Sequence, residues 1–327
     1  MDISFIIVNY KGWEPLGACL DSIQSLENID VSWEVIVVDN ASRDGMLEKF
    51  RARYPAFHFI ENEGNYGFSY GNNLGARHAR GDFLFFLNPD TLITAAPATS
   101  MLALARQHPG WSIVSSQQVN AAGKKENPFG IFPSFWTING LVKTFYRLFT
   151  GKSSSGQCQR EKIIFPDWVS GSVMLINRKV FELLGGWDED FWLYSEDVDL
   201  CKRARDRGGQ VALQCNPPIT HRHGGTTRRN RALTPFFKSH VIISRHIYFR
   251  KHFSGLHHFL LQSFLTVNSL VLEGLLPALA GIIFYPAARL RKYFFLYIYL
   301  LRYYWHALLR GKWTIDTKNI IFPQGKT

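Results

Sequence analysis

The chain has 327 residues, 46% of them hydrophobic, which is room for a sizeable core in one large α/β domain plus an appendage. Its net charge of +11, with only 19% charged and 15% aromatic residues, favours an anionic partner such as a nucleotide, a nucleic acid or a lipid surface. The four cysteines, Cys19, Cys158, Cys201 and Cys215, form no CxxC pair, so neither a zinc site nor a disulfide framework is expected and reduced thiols are the default. The opening MDISFIIVNY carries no basic leader and is too short for a signal or a span, which predicts a cytosolic location for this part.

In chain order, Ile3 to Val8 reads as a buried strand, and Pro15 opens a helix whose apolar face is Leu16, Cys19, Leu20, Ile23 and Leu26. A strand over Glu34 to Val38 completes a βαβ unit. A helix (Asp44 to Tyr54), a strand (Phe57 to Ile60), a polar turn (Asn62 to Gly67) and a helix near Gly71 to Arg80 lead to a central strand from Asp82 to Leu87. Such alternation predicts a mainly parallel sheet whose active edge is built from strand carboxyl ends. Asn88, Pro89 and Asp90 stop the central strand there. They read either as a plain turn or as a carboxylate placed to hold a hard divalent cation against a phosphate.

A nucleotide suits that edge, yet neither GxGxxG nor GxxxxGK[ST] is present. Phosphate is then managed by a metal at Asp90 rather than by a glycine cradle. Asp39 reads as a base or ribose acceptor or as a turn cap, and Tyr10 as a stacking platform.

A helix (Ala95 to Gln107) and a strand (Ser112 to Gln118) precede an excursion from Asn120 to Ile164, rich in Gly, Pro and aromatic residues, that reads as an acceptor- or membrane-touching loop or as a surface insertion. Trp168 to Ile176 is expected as one strand containing Ser170 and Gly171, followed by a helix from Arg178 to Leu184. Ser195 is expected to cap the next helix, with Glu196 and Asp197 in its first turn, as a general base or as ordinary helix-stabilising acids. A strand from Gln210 to Cys215 leads to His221 and His223 on a Gly-bounded turn, where one imidazole would complete a metal site.

Taken together, IIVNY at residues 6–10, VVDNAS at 37–42, NEGNYGFSYGNNLGARHARGDFLFFLNPDT at 62–91, SGSVMLINR at 170–178, GGWDEDFWLYSEDVDLCKR at 185–203 and HRHGGT at 221–226 resemble the inverting family 2 glycosyltransferases, most of all the rhamnosyltransferase branch of cell-surface polysaccharide assembly. The resemblance covers roughly residues 1–250. It implies a GT-A fold, a nucleotide-sugar donor and Mg²⁺ or Mn²⁺. Carried over, it implies Tyr10 and Asp39 on the nucleoside, with Asn65, Gly67, Asn73 and Asn88 shaping the donor pocket. It also implies Asp90 and His221 on the metal, with His223 competing, and Asp197 as base, with Gly171, Trp187, Asp188 and Glu196 on the acceptor side. Arg228, Arg229 and Arg231 would close over the diphosphate.

The expected domains are residues 1–250, the glycosyltransferase domain, and 251–327, a helical region. Phe259 to Tyr285 is long and apolar, but His258, Gln262, Thr266, Ser269 and Glu273 place a polar stripe along it, and Glu273 is the only acid between Arg245 and Lys312. Helices lying in the interface on anionic lipid are expected at the cytoplasmic side of the membrane, with a buried helical pair or a homo-oligomer as the alternative. The expected function is transfer of L-rhamnose from dTDP-rhamnose to a lipid-linked glycan in O-antigen-type assembly. Galactofuranosyl or N-acetylhexosaminyl transfer from UDP is the alternative donor class. A non-catalytic nucleotide- or anion-binding protein on the membrane is the alternative of another kind. No nucleic-acid module is present, and QxxRW is missing, which argues against a processive synthase.

Overall fold

The structure is a computed structural model, and it describes residues 1–26, 30–138, 144, 158, 161–222, 234–283, 288–311 and 313. Two compact units divide the chain. One comprises Met1–Phe132, Ser153–Glu189 and Glu196–Thr226; the other comprises Pro133–Lys152, Asp190–Ser195 and Thr227–Thr327. The boundary expected at residue 250 falls near the end of the helix Thr234–His252, which belongs to the second unit.

The first unit is built on a 9-stranded sheet. Its strands β1 (Ile3–Asn9), β2 (Trp33–Asp39), β3 (His58–Glu61) and β4 (Phe83–Leu87) lie side by side and parallel in the order β3, β2, β1, β4. Short strands β5 (Thr91–Leu92), β7 (Phe129–Gly130), β8 (Ile163–Ile164) and β9 (Trp168–Val169) accompany the longer β6 (Trp111–Val119), β10 (Val173–Asn177) and β11 (Gln210–His221). Strand β10 runs antiparallel between β4 and β6, and β11 pairs parallel with β6, so the sheet is mainly parallel with reversed strands inserted.

The period of two along each strand sorts the core into two layers. Phe5, Ile7, Val35, Val37 and Phe85 face one way, against Leu16, Leu20 and Ile23 of α1 (Trp13–Gln24) and Met101 and Leu102 of α4 (Ala95–Gln107). Ile6, Ile36, Val38, Leu84 and Phe86 face the other, against Phe181 and Leu184 of α5 (Arg178–Leu184) and Leu200 and Ala204 of α6 (Glu196–Asp206). Helix α2 (Met46–Arg53) covers the first layer through Leu47 and Phe50. Helix α3 (Gly67–His78) lies directly on β1, because a Cβ at Gly71 would stand 2.8 Å from Val8 and one at Gly75 2.6 Å from Ile6.

Several expectations need correction. Trp168 to Ile176 is not one strand: β9 pairs with β7 in a separate ribbon, the chain turns at Ser170-Gly171-Ser172, and only β10 enters the main sheet. Helix α3 starts at Gly67, inside the expected turn, since Gly67 takes a φ of +92° and then begins the helix. Strand β11 does not end at Cys215 but resumes its pairing with β6 at Ile219, past a register shift, and carries His221 within the sheet rather than on a turn. Ser195 has a φ of +64° and Tyr194 one of +73°, left-handed rather than the extended conformation of a serine cap. Cys158 and Cys215 are joined by a disulfide, not reduced; a separation of 57 residues gave no motif from which to foresee it.

The second unit is helical. Helix α7 (Thr234–His252) contacts α8 (Gly255–Val267) and α10 (Ala288–Arg310), and α10 also contacts the π-helical segment Asn268–Leu275 and α9 (Leu276–Ile283). The stretch Gly255–Leu279 is long and apolar enough to cross a membrane by length and composition, with a mean hydropathy of 1.5. Two residues of its polar stripe are buried: Gln262, whose Nε2 donates to the His246 carbonyl across 2.9 Å, and Ser269. Phe259, Leu260, Val267, Leu272, Ile282 and Ile283 point to solvent.

Candidate active site

At the carboxyl end of β4 the Asn88 carbonyl accepts from Thr91 N–H across 3.1 Å and from Thr91 Oγ1 across 2.7 Å, closing the Asn-Pro-Asp turn. Thr91 of β5 pairs with His221 of β11, which brings the imidazole beside Asp90. His221 Nε2 stands 3.0 Å from Asp90 Oδ1, and both residues are 7% exposed. The other ring nitrogen, Nδ1, meets Gln118 Oε1 at 2.8 Å, while Gln118 Nε2 donates to Ser172 Oγ across 2.8 Å. With the amide so oriented, its oxygen faces Nδ1, and Nε2 is turned toward a carboxylate oxygen. Two acceptors at 3.0 Å repel unless a proton or a cation lies with them, so this pair fits a divalent ion. No cluster of three or more His, Cys, Asp or Glu suited to a metal exists among the described residues. A two-ligand site that leaves positions for water and phosphate suits Mg²⁺ or Mn²⁺. The side chain of Asn88 makes no hydrogen bond among the described residues, and His223, Arg228, Arg229 and Arg231 lie outside them.

Along the same edge, Asp39 ends β2 beside Asn9 of β1. It is 1% exposed and accepts from Asn9 Nδ2 at 3.0 Å, Ser42 Oγ at 2.6 Å and Ser42 N–H at 2.9 Å. Burial raises its carboxyl above the usual range, and the Ser42 and Asn9 donors pull it back. Asp39 therefore closes a turn, whatever else it meets. Tyr10 is half-buried with Lys11 Nζ 5.5 Å from its ring centroid. Lys11, Ala41 and Arg43 all take positive φ, at +54°, +57° and +50°, and backbone strain of this kind collects at ligand sites. Asn65 Oδ1 accepts from Gly67 N–H at 3.3 Å, and Asn40 Nδ2 donates to the Gly67 carbonyl at 2.9 Å, fixing the start of α3.

Asn73 bonds to a different segment of the chain. Its Oδ1 accepts from Trp187 N–H at 2.9 Å, and its Nδ2 donates to the Trp187 carbonyl at 2.8 Å and to Glu189 Oε1 at 2.9 Å. Its amide is thereby committed to the 187–189 segment, one turn along α3 from the nucleoside edge. With Asp188, Glu189 and Arg203 it lines a cavity of about 370 Å³. Trp187 also lines this cavity, and its buried indole stands edge-on to Phe86 and Phe68 at 5.1 and 5.5 Å.

On α6, Asp197 is partly exposed and accepts Gly171 N–H through Oδ2 at 3.1 Å and Val198 N–H through Oδ1 at 2.8 Å. Burial raises its carboxyl, and those two N–H groups lower it. Neighbouring Glu196 is buried and pushed well above the carboxylate range, first by burial and then by the charge of Asp197. A partly exposed carboxylate, held in orientation by two backbone donors, can take a proton from a hydroxyl.

The family model "Glycosyl transferase family 2" matches residues 4–166. The chain is 30% identical over 210 residues to the "Low-salt glycan biosynthesis hexosyltransferase Agl10" of Haloferax volcanii, covering 62% of each chain. It belongs to family 2 of the glycosyltransferases. This family 2 chain is also 26% identical over 251 residues to an "N-acetylglucosaminyl-diphospho-decaprenol L-rhamnosyltransferase" of Mycobacterium tuberculosis, covering 69% of this chain and 78% of that one. The crystal structure of GalNAc-T7 with UDP, GalNAc and Mn²⁺ superposes with a TM-score of 0.50 at 15% identity, over 68% of this chain and 44% of that one, and shares its GT-A fold.

Within this family 2 chain, sequence reading missed Gln118 and Ser172, which join the two halves of the site. Gln118 reaches from His221 to Ser172; the Ser172 carbonyl accepts Asn88 N–H at 2.9 Å; and the preceding Gly171 holds Asp197. The turn Ser170-Gly171-Ser172 thus touches both the Asp90 side and the base side. A signal was present: Ser115, Ser116, Gln117 and Gln118 are four consecutive polar residues, all buried, directly after the apolar Ile113 and Val114 of the same strand. Buried amides in a strand require partners, and Gln118 finds His221.

Proposed function

We propose that this family 2 enzyme transfers a hexose, by preference L-rhamnose from a dTDP donor, to a hydroxyl of a lipid-linked glycan with inversion of configuration. The observation that carries the reading is the meeting of Asp90 and His221 at the sheet edge, joined through Gln118 and Ser172 to the turn that holds Asp197. Asp90 Oδ1 and His221 Nε2 would hold a divalent ion, which when bound neutralises charge growing on the leaving nucleoside diphosphate. Tyr10 and the strained ends of β1 and β2 bind the nucleoside. Asp197 takes the proton of the acceptor hydroxyl as its oxygen bonds to the anomeric carbon and the bond from that carbon to the diphosphate oxygen breaks. Attack from the Asp197 side, opposite the leaving group, inverts the centre.

The rhamnose preference is supported by the name of the mycobacterial relative and the hexosyl class by that of the archaeal one. UDP-linked galactofuranose or N-acetylhexosamine is the second donor class. A lipid-linked acceptor agrees with the solvent-facing apolar side of α8 and α9, which we assign to the cytoplasmic face of the membrane. Thermal shift with nucleoside diphosphates and nucleotide sugars, with and without Mn²⁺, tests the donor site. Stabilisation by one nucleotide family that needs Mn²⁺ and is lost in Asp90→Ala is expected; no shift with any donor, in the presence of lipid vesicles as well, would overturn the reading.

A further inference from the structure

Helix α6 opens with three acids, Glu196, Asp197 and Asp199, whose surroundings differ. Asp199 is fully buried and paired with Arg203, Oδ2 to Nη2 at 2.6 Å, so its charge is compensated. Asp197 reaches solvent and has two backbone donors. Glu196 has neither. It is 6% exposed, and its Oε2 is buried with no hydrogen-bond partner.

The charges that act on Glu196 are those of Asp197 and Asp199, both negative and both on its own helix. Across from this pair, the turn between β9 and β10 offers the neutral Gly171 N–H, and that goes to Asp197. No cation faces Glu196 from another element among the described residues. An ionised Glu196 would leave a carboxylate oxygen dry, without a donor and flanked by two anions, which is the costliest arrangement available to it. A neutral carboxyl avoids both penalties. Two adjacent carboxyls that interact in this way share their protons unequally, and the drier one holds on to its own.

We infer that Glu196 is a positioning residue that stays protonated through the working range, so that the pair carries one negative charge and that charge resides on Asp197. The inference rests on the reading of Asp197 as base and deepens it: Glu196 decides which of two neighbouring carboxyls accepts the substrate proton. Were both ionised, each would raise the proton affinity of the other, and Asp197 would be partly protonated before the acceptor arrived.

The decisive variant is Glu196→Gln, which keeps the shape and neutrality of the protonated acid. Infrared difference spectra of the full chain at pH 7, wild type minus Glu196→Gln, are expected to show the carbonyl stretch of a protonated carboxyl. The acid limb of the pH profile of kcat/KM in Glu196→Gln is expected to stay where the wild type has it. A missing carboxyl band, or a loss of about a hundredfold or more in Glu196→Gln, would overturn the inference. Asp197→Asn run alongside separates the two readings. Full activity there sinks the base assignment whatever Glu196 does, whereas an inactive Asp197→Asn beside an inactive Glu196→Gln sinks only the role of Glu196. If Glu196→Gln fails to fold, infrared titration of the wild type decides: a buried carboxyl band persisting at pH 7 supports the inference and its absence ends it.

Discussion

Gly171 donates its backbone N–H to Oδ2 of Asp197 across 3.1 Å, in surroundings that leave little space for a side chain. A Cβ at this position would lie 3.3 Å from Trp187, 3.4 Å from Phe68 and 3.5 Å from the Cβ of Asp197. Two of those neighbours are packed rings with little room to retreat. Gly171→Ala is therefore expected to cost about 1–3 kcal/mol of stability and to turn Asp197 away from its hydroxyl. The expected kinetic result is a fall in kcat of about 10-fold or more with donor affinity kept. Unchanged kcat in a folded Gly171→Ala protein would mean that this hydrogen bond does not orient the base.

Gln118 turns its amide oxygen to Nδ1 of His221. Gln118→Leu keeps most of the volume and removes that acceptor, so His221 can turn or change tautomer. Mn²⁺ affinity in the presence of nucleoside diphosphate is expected to drop by about 10–100-fold, the usual effect of losing such a supporting contact. His221→Ala should be worse for the fold as well, since it leaves Asp90, 7% exposed, without the imidazole 3.0 Å away. Calorimetric titration of Mn²⁺ into both variants checks the order, and equal affinities in wild type and Gln118→Leu would refute it.

The carboxyls of Glu196, Asp197 and Asp39 are all raised in the folded chain, chiefly by burial. A raised acid holds its proton in the native state at pH values where the unfolded chain has released it. Its contribution is most favourable below the unfolded value and declines as pH rises toward the folded one. For Glu196 the decline starts near 4.5, the ordinary value of a glutamate carboxyl, and continues upward. Glu196→Gln does not titrate, so its melting temperature relative to wild type should climb across that window, at up to about 1.4 kcal/mol of relative stability per pH unit. Melting curves at pH 5 and pH 7.5 measure this. A constant difference between the two pH values would show that Glu196 is ionised in the fold.

Much of the sheet was legible because buried strands carry continuous apolar runs. Phe83–Leu87 and Ile3–Asn9 announce themselves, and α4 and α5 have the bounds their periodicity predicts. The misreadings concern relations that no local pattern encodes. The meeting of Asp90 and His221 was implied by the resemblance, but not its route: a two-residue strand, Thr91–Leu92, docks on the end of β11 after a register shift. Asn73 looks like one more polar residue of an Asn/Gly-rich stretch, and only the spatial neighbour 114 positions away reveals what its amide does. The break at Ser170-Gly171-Ser172 was hidden because Val169 and Val173 on either side are equally buried, so the run reads as one strand.

The apolar face of the second unit yields the last prediction. A water-soluble helix buries its apolar stripe, but in Gly255–Leu279 the polar residues Gln262, Asn268 and Ser269 are buried beside Leu261 and Leu265, while Leu256, Phe259, Leu272 and Leu279 are exposed. On α10, Trp305, Leu308 and Leu309 are exposed with Arg302 and His306 beside them. Apolar surface of this extent is a contact surface, and the scarcity of acids from Arg245 to Lys312 suits anionic headgroups. The full chain is expected to float with vesicles containing anionic phospholipid. Weaker binding is expected to neutral vesicles and at high salt. Phe259→Asp with Leu308→Asp should weaken binding by about 10-fold or more, since burying each apolar side chain contributes about 1.5–3 kcal/mol. Donor-induced thermal shifts of that double variant should stay as in wild type. If the chain stays off the vesicles and light scattering instead finds a dimer that the double variant breaks, the face joins two copies of this chain and the membrane reading falls.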